Sequence, residues 1–266
     1  ALLATPERAL VALDFDGTLA PIVADPAQAR PARGATDALR RLAARVGTLA
    51  IVTGRPAVVA AGLVEFPGIA PANVVVLGHY GLERWTPATG VTRLGDIDAS
   101  GVDGVRSALP GLLRSIGVPA GTTIEDKGES VAVHVRRTAD PAAALAFVRA
   151  PLESLARAHR LRLEPGRMVW ELRPAGVDKG LALEALVRER AAEVVCYAGD
   201  DLGDLAAFDA LDRLRADGLS TVSICSGSGL VPELEARADV VVDGPAEVVQ
   251  LLNELSDAVE RSSREH

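Results

Sequence analysis

Residues 9–22, ALVALDFDGTLAPI, constrain this chain more than any other stretch. Ala9 to Leu13 form a short apolar run, followed at once by Asp14-Phe15-Asp16-Gly17-Thr18. Such a run reads as a buried strand that delivers two carboxylates to its C-terminal tip. Open α/β sheets place their chemistry at that end of their strands. Side chains alternate along a strand, so Asp14 and Asp16 are expected to share one crevice while Phe15 turns away. Two neighbouring carboxylates repel and need a cation or a shared proton. Gly17 lets the backbone turn sharply and approach an anion, and Thr18 adds a hydroxyl and an N–H at the mouth. A solvated turn is the competing account, because Asp and Gly are ordinary turn residues. Partners at the ends of other strands decide between the two.

A chain of 266 residues with 48% hydrophobic content has ample material for a core. Aromatic residues are only 3%, so that core is aliphatic, and Val-rich runs alternating with Ala/Leu/Arg-rich runs suggest βα repetition. A net charge of −8 argues against nucleic acid or an anionic membrane as partner, so an anionic substrate must be met by local positive groups. The two cysteines, Cys196 and Cys225, lie in or beside apolar runs and read as buried thiols in a reducing cytosol. No apolar run reaches the roughly 18 residues of a membrane span, and the first residues lack the pattern of a signal peptide. The expectation is a soluble, cytoplasmic monomer.

Along the chain, Ala35 to Val46 has helical spacing, with Leu39 and Leu42 inward. Leu49 to Val52 is a strand ending in Thr53-Gly54-Arg55-Pro56, where Thr53 has a hydroxyl and an N–H to offer a phosphate and Gly54 permits close approach. A helix N-cap explains the same residues. Val74 to Leu77 is the next strand, followed by a loop containing His79, Tyr80 and Gly81. Strands separated by helices in this way predict a doubly wound, parallel, Rossmann-like α/β core.

Between about residues 95 and 175 the pattern changes. Pro110 to Ile116 and Asp140 to His159 look helical, and four short segments between 122 and 172 alternate like strands. This predicts an α+β cap at 99–174, inserted between core segments 1–98 and 175–266. Its Glu125, Asp126, Lys127, Glu129, His134 and Glu171 are suited to sugar hydroxyls, which donate and accept at once; a solvated strand face is the plainer account. Lys179 then stands at the start of a helix, where the dipole disfavours it unless an anion or carboxylate lies in front. Val194 to Ala198 is an aliphatic strand ending in Gly199-Asp200-Asp201-Leu202-Gly203-Asp204, whose three carboxylates call for a cation, and Mg²⁺ suits a few carboxylates with phosphate oxygens. Strands at Thr221–Cys225 and 240–242, the turn Gly227-Ser228-Gly229 between them, and a helix from Pro245 to about Val259 complete the chain, with the SSREH tail expected to fray.

Asp14/Asp16, Thr53, Lys179 and Asp200/Asp201/Asp204, in that order and each at or near a strand tip, resemble the motif set of the haloacid dehalogenase superfamily, in its branch with a type-2 cap. Within it, Glu125-Asp126-Lys127-Gly128-Glu129-Ser130, His134-Val135-Arg136, the run Gly166-Arg167-Met168-Val169-Trp170-Glu171-Leu172-Arg173-Pro174 and Gly78-x-x-Gly81-Leu82-Glu83 look like the trehalose-6-phosphate phosphatases. The resemblance implies hydrolysis of trehalose 6-phosphate through an aspartyl-phosphate. Asp14 would be the nucleophile, Asp16 the acid and base, and Thr53 and Lys179 the phosphoryl ligands. Mg²⁺ would be held among Asp14, the Asp16 carbonyl, Asp200, Asp201 and Asp204. Gly17, Thr18, Gly54, Arg55, His79, Gly81, Glu125, Lys127, Glu129 and Glu171 would contact substrate. The last motif and the His79-Tyr80-Gly81 loop depart from the family's usual wording, which keeps open another sugar phosphatase (for sucrose phosphate, mannosyl phosphoglycerate or a hexose phosphate) or a non-catalytic sugar-phosphate-binding module.

Overall fold

The computed structural model describes residues 2–23, 25–68, 70–94, 98, 100–166, 168–227 and 231–265. Arg167 of the expected cap motif, and Ser228 and Gly229 of the expected glycine turn, lie outside the described residues. In chain order the strands are β1 (Ala9–Leu13), β2 (Thr48–Val52), β3 (Val74–Gly78), β4 (Glu83–Thr86), β5 (Gly90–Arg93), β6 (Thr123–Asp126), β7 (Val131–His134), β8 (Leu161–Gly166), β9 (Val169–Pro174), β10 (Val194–Gly199), β11 (Ser220–Ser226) and β12 (Val240–Val242). The helices are α1 (Ala35–Ala43), α2 (Ala57–Leu63), α3 (Ser100–Ile116), α4 (Pro141–Ala158), α5 (Lys179–Arg190), α6 (Leu205–Ala216), α7 (Pro232–Arg237) and α8 (Pro245–Glu265). They form two compact units, one of Ala1–Leu94 with Asp178–His266 and one of Gly95–Val177.

The larger unit is built on β1, whose five side chains are all buried. Alternation divides them between two cores. Ala9, Val11 and Leu13 join Leu39 and Leu42 of α1, Ala60 of α2 and Val248 and Leu252 of α8. Leu10 and Ala12 face the other way, onto Leu183 and Leu186 of α5 and Phe208 and Leu211 of α6. A strand apolar on both faces can only sit in a sheet covered on both faces, which is what a parallel, doubly wound arrangement provides. The strand order is β12-β11-β10-β1-β2-β3-β4-β5, with β12 through β3 paired in parallel. Chain order reverses between β1 and β10, and it is outside the C-terminal ends of such a pair that these sheets form their crevice.

Helices α6 and α7 were not expected from the sequence, and three further differences show how packing decides local structure. Residues 83–85, read as the end of a loop, join residues 86–93, which carry no expectation, in the antiparallel hairpin β4–β5 at one sheet edge. Trp85 anchors it, buried and stacked on Phe66 with ring centroids 6.3 Å apart. Helix α3 begins at Ser100, ten residues ahead of its expected start, and carries Pro110 inside. Burial of Val102, Val105, Leu109 and Leu113 along one face outweighs the cost of the missing N–H, about 3 kcal/mol. The tail continues α8 to Glu265, because Ser262 Oγ donates to the carbonyl of Leu3 at 3.1 Å and Arg264 pairs with Glu260.

In the smaller unit the strand order is β6-β7-β9-β8, all antiparallel. Val131, Val133, Trp170 and Leu172 pack against apolar residues of α3 and α4, and the Trp170 indole N–H donates to the carbonyl of Leu145 at 2.9 Å. No helix among the described residues is long and apolar enough to cross a membrane.

Candidate active site

The tips of β1, β10 and β11 are tied to one another. The Asp14 N–H donates to the Ala198 carbonyl at 2.8 Å, Gly17 N–H closes a turn on Ala20 O at 2.7 Å, and Ser226 Oγ donates to Gly17 O at 2.9 Å. Gly17 has φ +84°, and a Cβ there would fall on the Asp200 carboxylate, so the position excludes any side chain. Thr18 is fully buried beside it, and its hydroxyl has no hydrogen-bond partner among the described residues.

Lys179 stands at the first position of α5 and answers the objection of the helix dipole with two carboxylates. Its Nζ is 2.8 Å from Asp14 Oδ1 and 2.8 Å from Asp204 Oδ1. Asp204 is fully buried and saturated. Its Oδ1 also accepts from Tyr197 OH at 2.6 Å, and its Oδ2 accepts from the N–H groups of Asp200 and Asp201, both at 3.0 Å. Asp204 therefore holds the lysine and shapes the turn after β10. Asp201 caps that turn, accepting from Leu202 N–H at 2.5 Å in a capping box with Asp204.

Oxygen atoms of Asp14, Asp200 and Asp204 lie within 4.8 Å of one another. Burial pushes the Asp14 carboxyl up to about 7, against the pull of Lys179 and with the help of Asp204 and Asp16. Asp200 is pushed up to about 10 by burial and by Asp14 and Asp204. Lys179 is raised further into its charged form, its two carboxylates overcoming burial. The buried Asp200 Oδ1 has no hydrogen-bond partner among the described residues. Three buried carboxylates against one ammonium, with an orphaned carboxylate oxygen among them, are costly unless a cation completes the set. An all-oxygen donor set of this kind fits a hard divalent cation. Because Asp204 is already saturated, Asp14 and Asp200 are the side chains free to hold it.

Asp16 does not join this cluster. The expectation that it shares a crevice with Asp14 meets Arg55, whose Nε donates to Asp16 Oδ2 at 2.6 Å and Nη2 to Oδ1 at 2.7 Å. Thr53 is buried, and its N–H is spent on the sheet, donating to Leu77 O at 2.9 Å; of the two donors expected there, only the hydroxyl remains. Thr53 Oγ1 accepts from Arg55 N–H at 3.2 Å, which leaves its proton to donate. A Cβ on Gly54 would meet the hydroxyl end of Tyr80, so glycine lets that side chain lie against the turn. His79 and Tyr80 have φ of 47° and 59°, a costly conformation for such residues. Their N–H groups thereby reach the carbonyls of Arg55 and Thr53, both at 3.0 Å. The backbone of His79 and Tyr80 thus forms a brace behind the Thr53 turn. Glu83 completes it by capping α2 through Ala57 N–H at 2.9 Å.

The sequence pattern of the trehalose-phosphatase family matches residues 12–240. The chain belongs to this family. A trehalose-phosphate phosphatase of Mycobacterium avium is 34% identical over 257 residues, which are 94% of this chain and 63% of that protein. One from Mycobacterium tuberculosis is 37% identical over 205 residues, 75% of this chain and 50% of that one. The chain thus spans between half and two thirds of the length of these relatives. The fold is shared with solved structures: a Candida albicans trehalose-6-phosphate phosphatase C-terminal domain superposes with a TM-score of 0.78, at 22% identity, over 95% of this chain and 93% of that one, and a haloacid dehalogenase-like hydrolase from Bacteroides thetaiotaomicron with a TM-score of 0.64, at 16% identity, over 95% of this chain and 98% of that one.

The smaller unit gathers several of the expected polar residues on or beside its own sheet. Glu125, Ala132, Glu171 and Glu164 are directly opposite one another across β6, β7, β9 and β8, and so share one face. Glu171 is buried and accepts from Lys127 Nζ at 2.9 Å and from Ser130 Oγ at 2.5 Å. Glu125 Oε2 lies 2.6 Å from His134 Nε2, and Arg136 lies 3.3 Å from the other ring nitrogen. Burial works against the Glu125 charge, yet the His134 hydrogen bond and Lys127 hold its carboxyl below the usual range. Asp126 points elsewhere, into an ion pair with Arg106, and Glu129 is half-buried beside Ser130. Sequence reasoning passed over Tyr197 and Ser226 and gave Ser130 no role of its own. Their only signal is a polar atom placed next to a motif, and Tyr197 reads equally well as a core aromatic.

Proposed function

We propose that this chain hydrolyses trehalose 6-phosphate to trehalose and phosphate with Mg²⁺ as cofactor. The observation that carries the reading is the buried Asp14 at the tip of β1, held by Lys179 among further carboxylates, in a chain of the trehalose-phosphatase family. Asp14 attacks phosphorus in line; its O–P bond forms as the bond from phosphorus to the sugar oxygen breaks, and a water later opens the aspartyl-phosphate. Asp16 gives a proton to the departing sugar oxygen and takes one from the attacking water. Lys179 and the Thr53 hydroxyl bind the phosphoryl oxygens, and one such donor is worth a factor of about 10²–10³ in rate. Bound Mg²⁺ would offset carboxylate and phosphate charge, held by the Asp14 and Asp200 carboxylates and the Asp16 carbonyl, with Asp201 and Asp204 shaping the turn around it. In the smaller unit, taken as the cap, Glu125, Lys127, Glu129 and Glu171 read sugar hydroxyls. Two free, buried thiols suit a cytoplasmic enzyme, and we take the working form to be a monomer.

The test is phosphate release with Mg²⁺ from trehalose 6-phosphate, sucrose 6-phosphate, glucose 6-phosphate and a mannosyl phosphoglycerate, with Asp14→Asn as control. Strong preference for trehalose 6-phosphate, abolished in the variant, is expected. Comparable rates on several sugars would overturn the substrate, and turnover surviving in Asp14→Asn would overturn the nucleophile.

A further inference from the structure

We propose that Arg55 is the positioning residue of the acid–base carboxylate Asp16 rather than a ligand of the transferred phosphate. The inference rests on the hydrolytic reading above and adds a residue to it. The two carry parallel hydrogen bonds, Nε to Oδ2 at 2.6 Å and Nη2 to Oδ1 at 2.7 Å, which fix the plane of the carboxylate as well as its distance. The arginine is the fixed half of the pair. Its side chain is 12% exposed against 40% for Asp16, its Nη2 also donates to the carbonyl of Pro26 at 3.0 Å, and its guanidinium lies over the Phe15 ring at 5.2 Å. Its backbone is gripped at both ends, by Thr53 Oγ1 on its N–H and by His79 N–H on its carbonyl.

A phosphate-binding arginine presents its fork to the anion, whereas here the fork is closed on Asp16. The turn that carries Thr53 therefore also sets where Asp16 stands, through Arg55. An ammonium cannot make the two parallel bonds, so lysine is no substitute at this position.

The work of Asp16 is felt unequally by different substrates. A sugar leaving group needs the Asp16 proton as its bond to phosphorus breaks. The 4-nitrophenolate released from 4-nitrophenyl phosphate leaves without one. Water attack on the aspartyl-phosphate needs Asp16 as base with either substrate.

The experiment is rapid-mixing kinetics of wild type, Arg55→Ala and Arg55→Lys with 4-nitrophenyl phosphate, beside steady-state turnover of the best sugar phosphate. Both variants are expected to keep the initial burst of 4-nitrophenol within about threefold of wild type. Sugar-phosphate kcat should fall about 10²-fold at nearly unchanged KM, the low end of what a positioned acid–base group contributes. In an Asp16→Asn background the Arg55 change should add nothing. A burst that collapses along with turnover, a further loss in the Asp16→Asn background, or full activity of Arg55→Lys would each overturn the proposal. Wild type that bursts with 4-nitrophenyl phosphate but leaves trehalose 6-phosphate intact would overturn the substrate reading alone, and burst against steady-state rate would still report on Arg55.

Discussion

At the residue scale, the site is a contest between burial and charge. Asp204 could be read from its spacing as one more cation ligand, but its two oxygens are taken up by Lys179, Tyr197 and two backbone N–H groups. Asparagine there would keep the shape and turn an N–H₂ toward donors that need an acceptor. Asp204→Asn should therefore destabilise the metal-free protein by about 3–5 kcal/mol, the cost of breaking a buried ion pair from one side, measured by urea unfolding. If instead stability held and only the response to cation vanished, Asp204 would be a ligand. The carboxylates themselves were legible in the sequence, because an apolar run ending in Asp-x-Asp-Gly-Thr has few other uses. The cation each one meets was not. Asp14 and Asp16 differ by two residues in sequence, and what separates them is a lysine 165 residues after one and an arginine 39 residues after the other.

At the element scale, strands announced by continuous apolar runs were found where expected to within a residue or two, as at β1, β3 and β12. The hairpin β4–β5 was missed because its burial is confined to Trp85 on one side of an edge, with its other residues half-buried or exposed. Its stability accordingly hangs on that residue. Trp85→Ala should cost about 3–5 kcal/mol and lower the thermal midpoint, since the Phe66 ring loses its stacking partner. A change below about 1 kcal/mol by denaturant unfolding would show that the hairpin is held by its backbone ladder instead. Helix α3 teaches the complementary lesson: a proline reads as a start signal, but a continuous apolar stripe beneath it keeps the helix going through.

At the scale of the whole molecule, two sets of carboxyls pull stability in opposite directions with pH. Asp126, beside Arg106, and Glu125, beside His134, have folded values below their ordinary ones. Their contribution is complete above the unfolded values and is lost as pH falls through the folded ones. Asp14 and Asp200 have folded values raised to about 7 and about 10. Their penalty is absent below the unfolded values near 4 and grows as pH rises toward the folded ones, because the unfolded chain ionises first. The metal-free protein should thus lose thermal stability steadily from about pH 5 to pH 10. Saturating Mg²⁺ should flatten that decline and release protons on binding near pH 8, read by calorimetry in buffers of different ionisation enthalpy. A pH-independent midpoint in the absence of cation, or binding without proton release, would contradict the charge balance drawn for the site.

What the sequence by itself determined is the alternation of buried strands and amphipathic helices, the change of pattern in the middle of the chain, and the presence of carboxylates, a hydroxyl and an amine at strand tips. These follow from local periodicity and from where polar residues interrupt it. What only the tertiary structure decided is which carboxylate meets which cation: Asp14 and Asp204 on Lys179, Asp16 on Arg55, Glu171 on Lys127. Opposite charges pair through space, and the strand order that brings β1 beside β10 and β2 is set by the burial of whole faces, a quantity no local window of the chain contains.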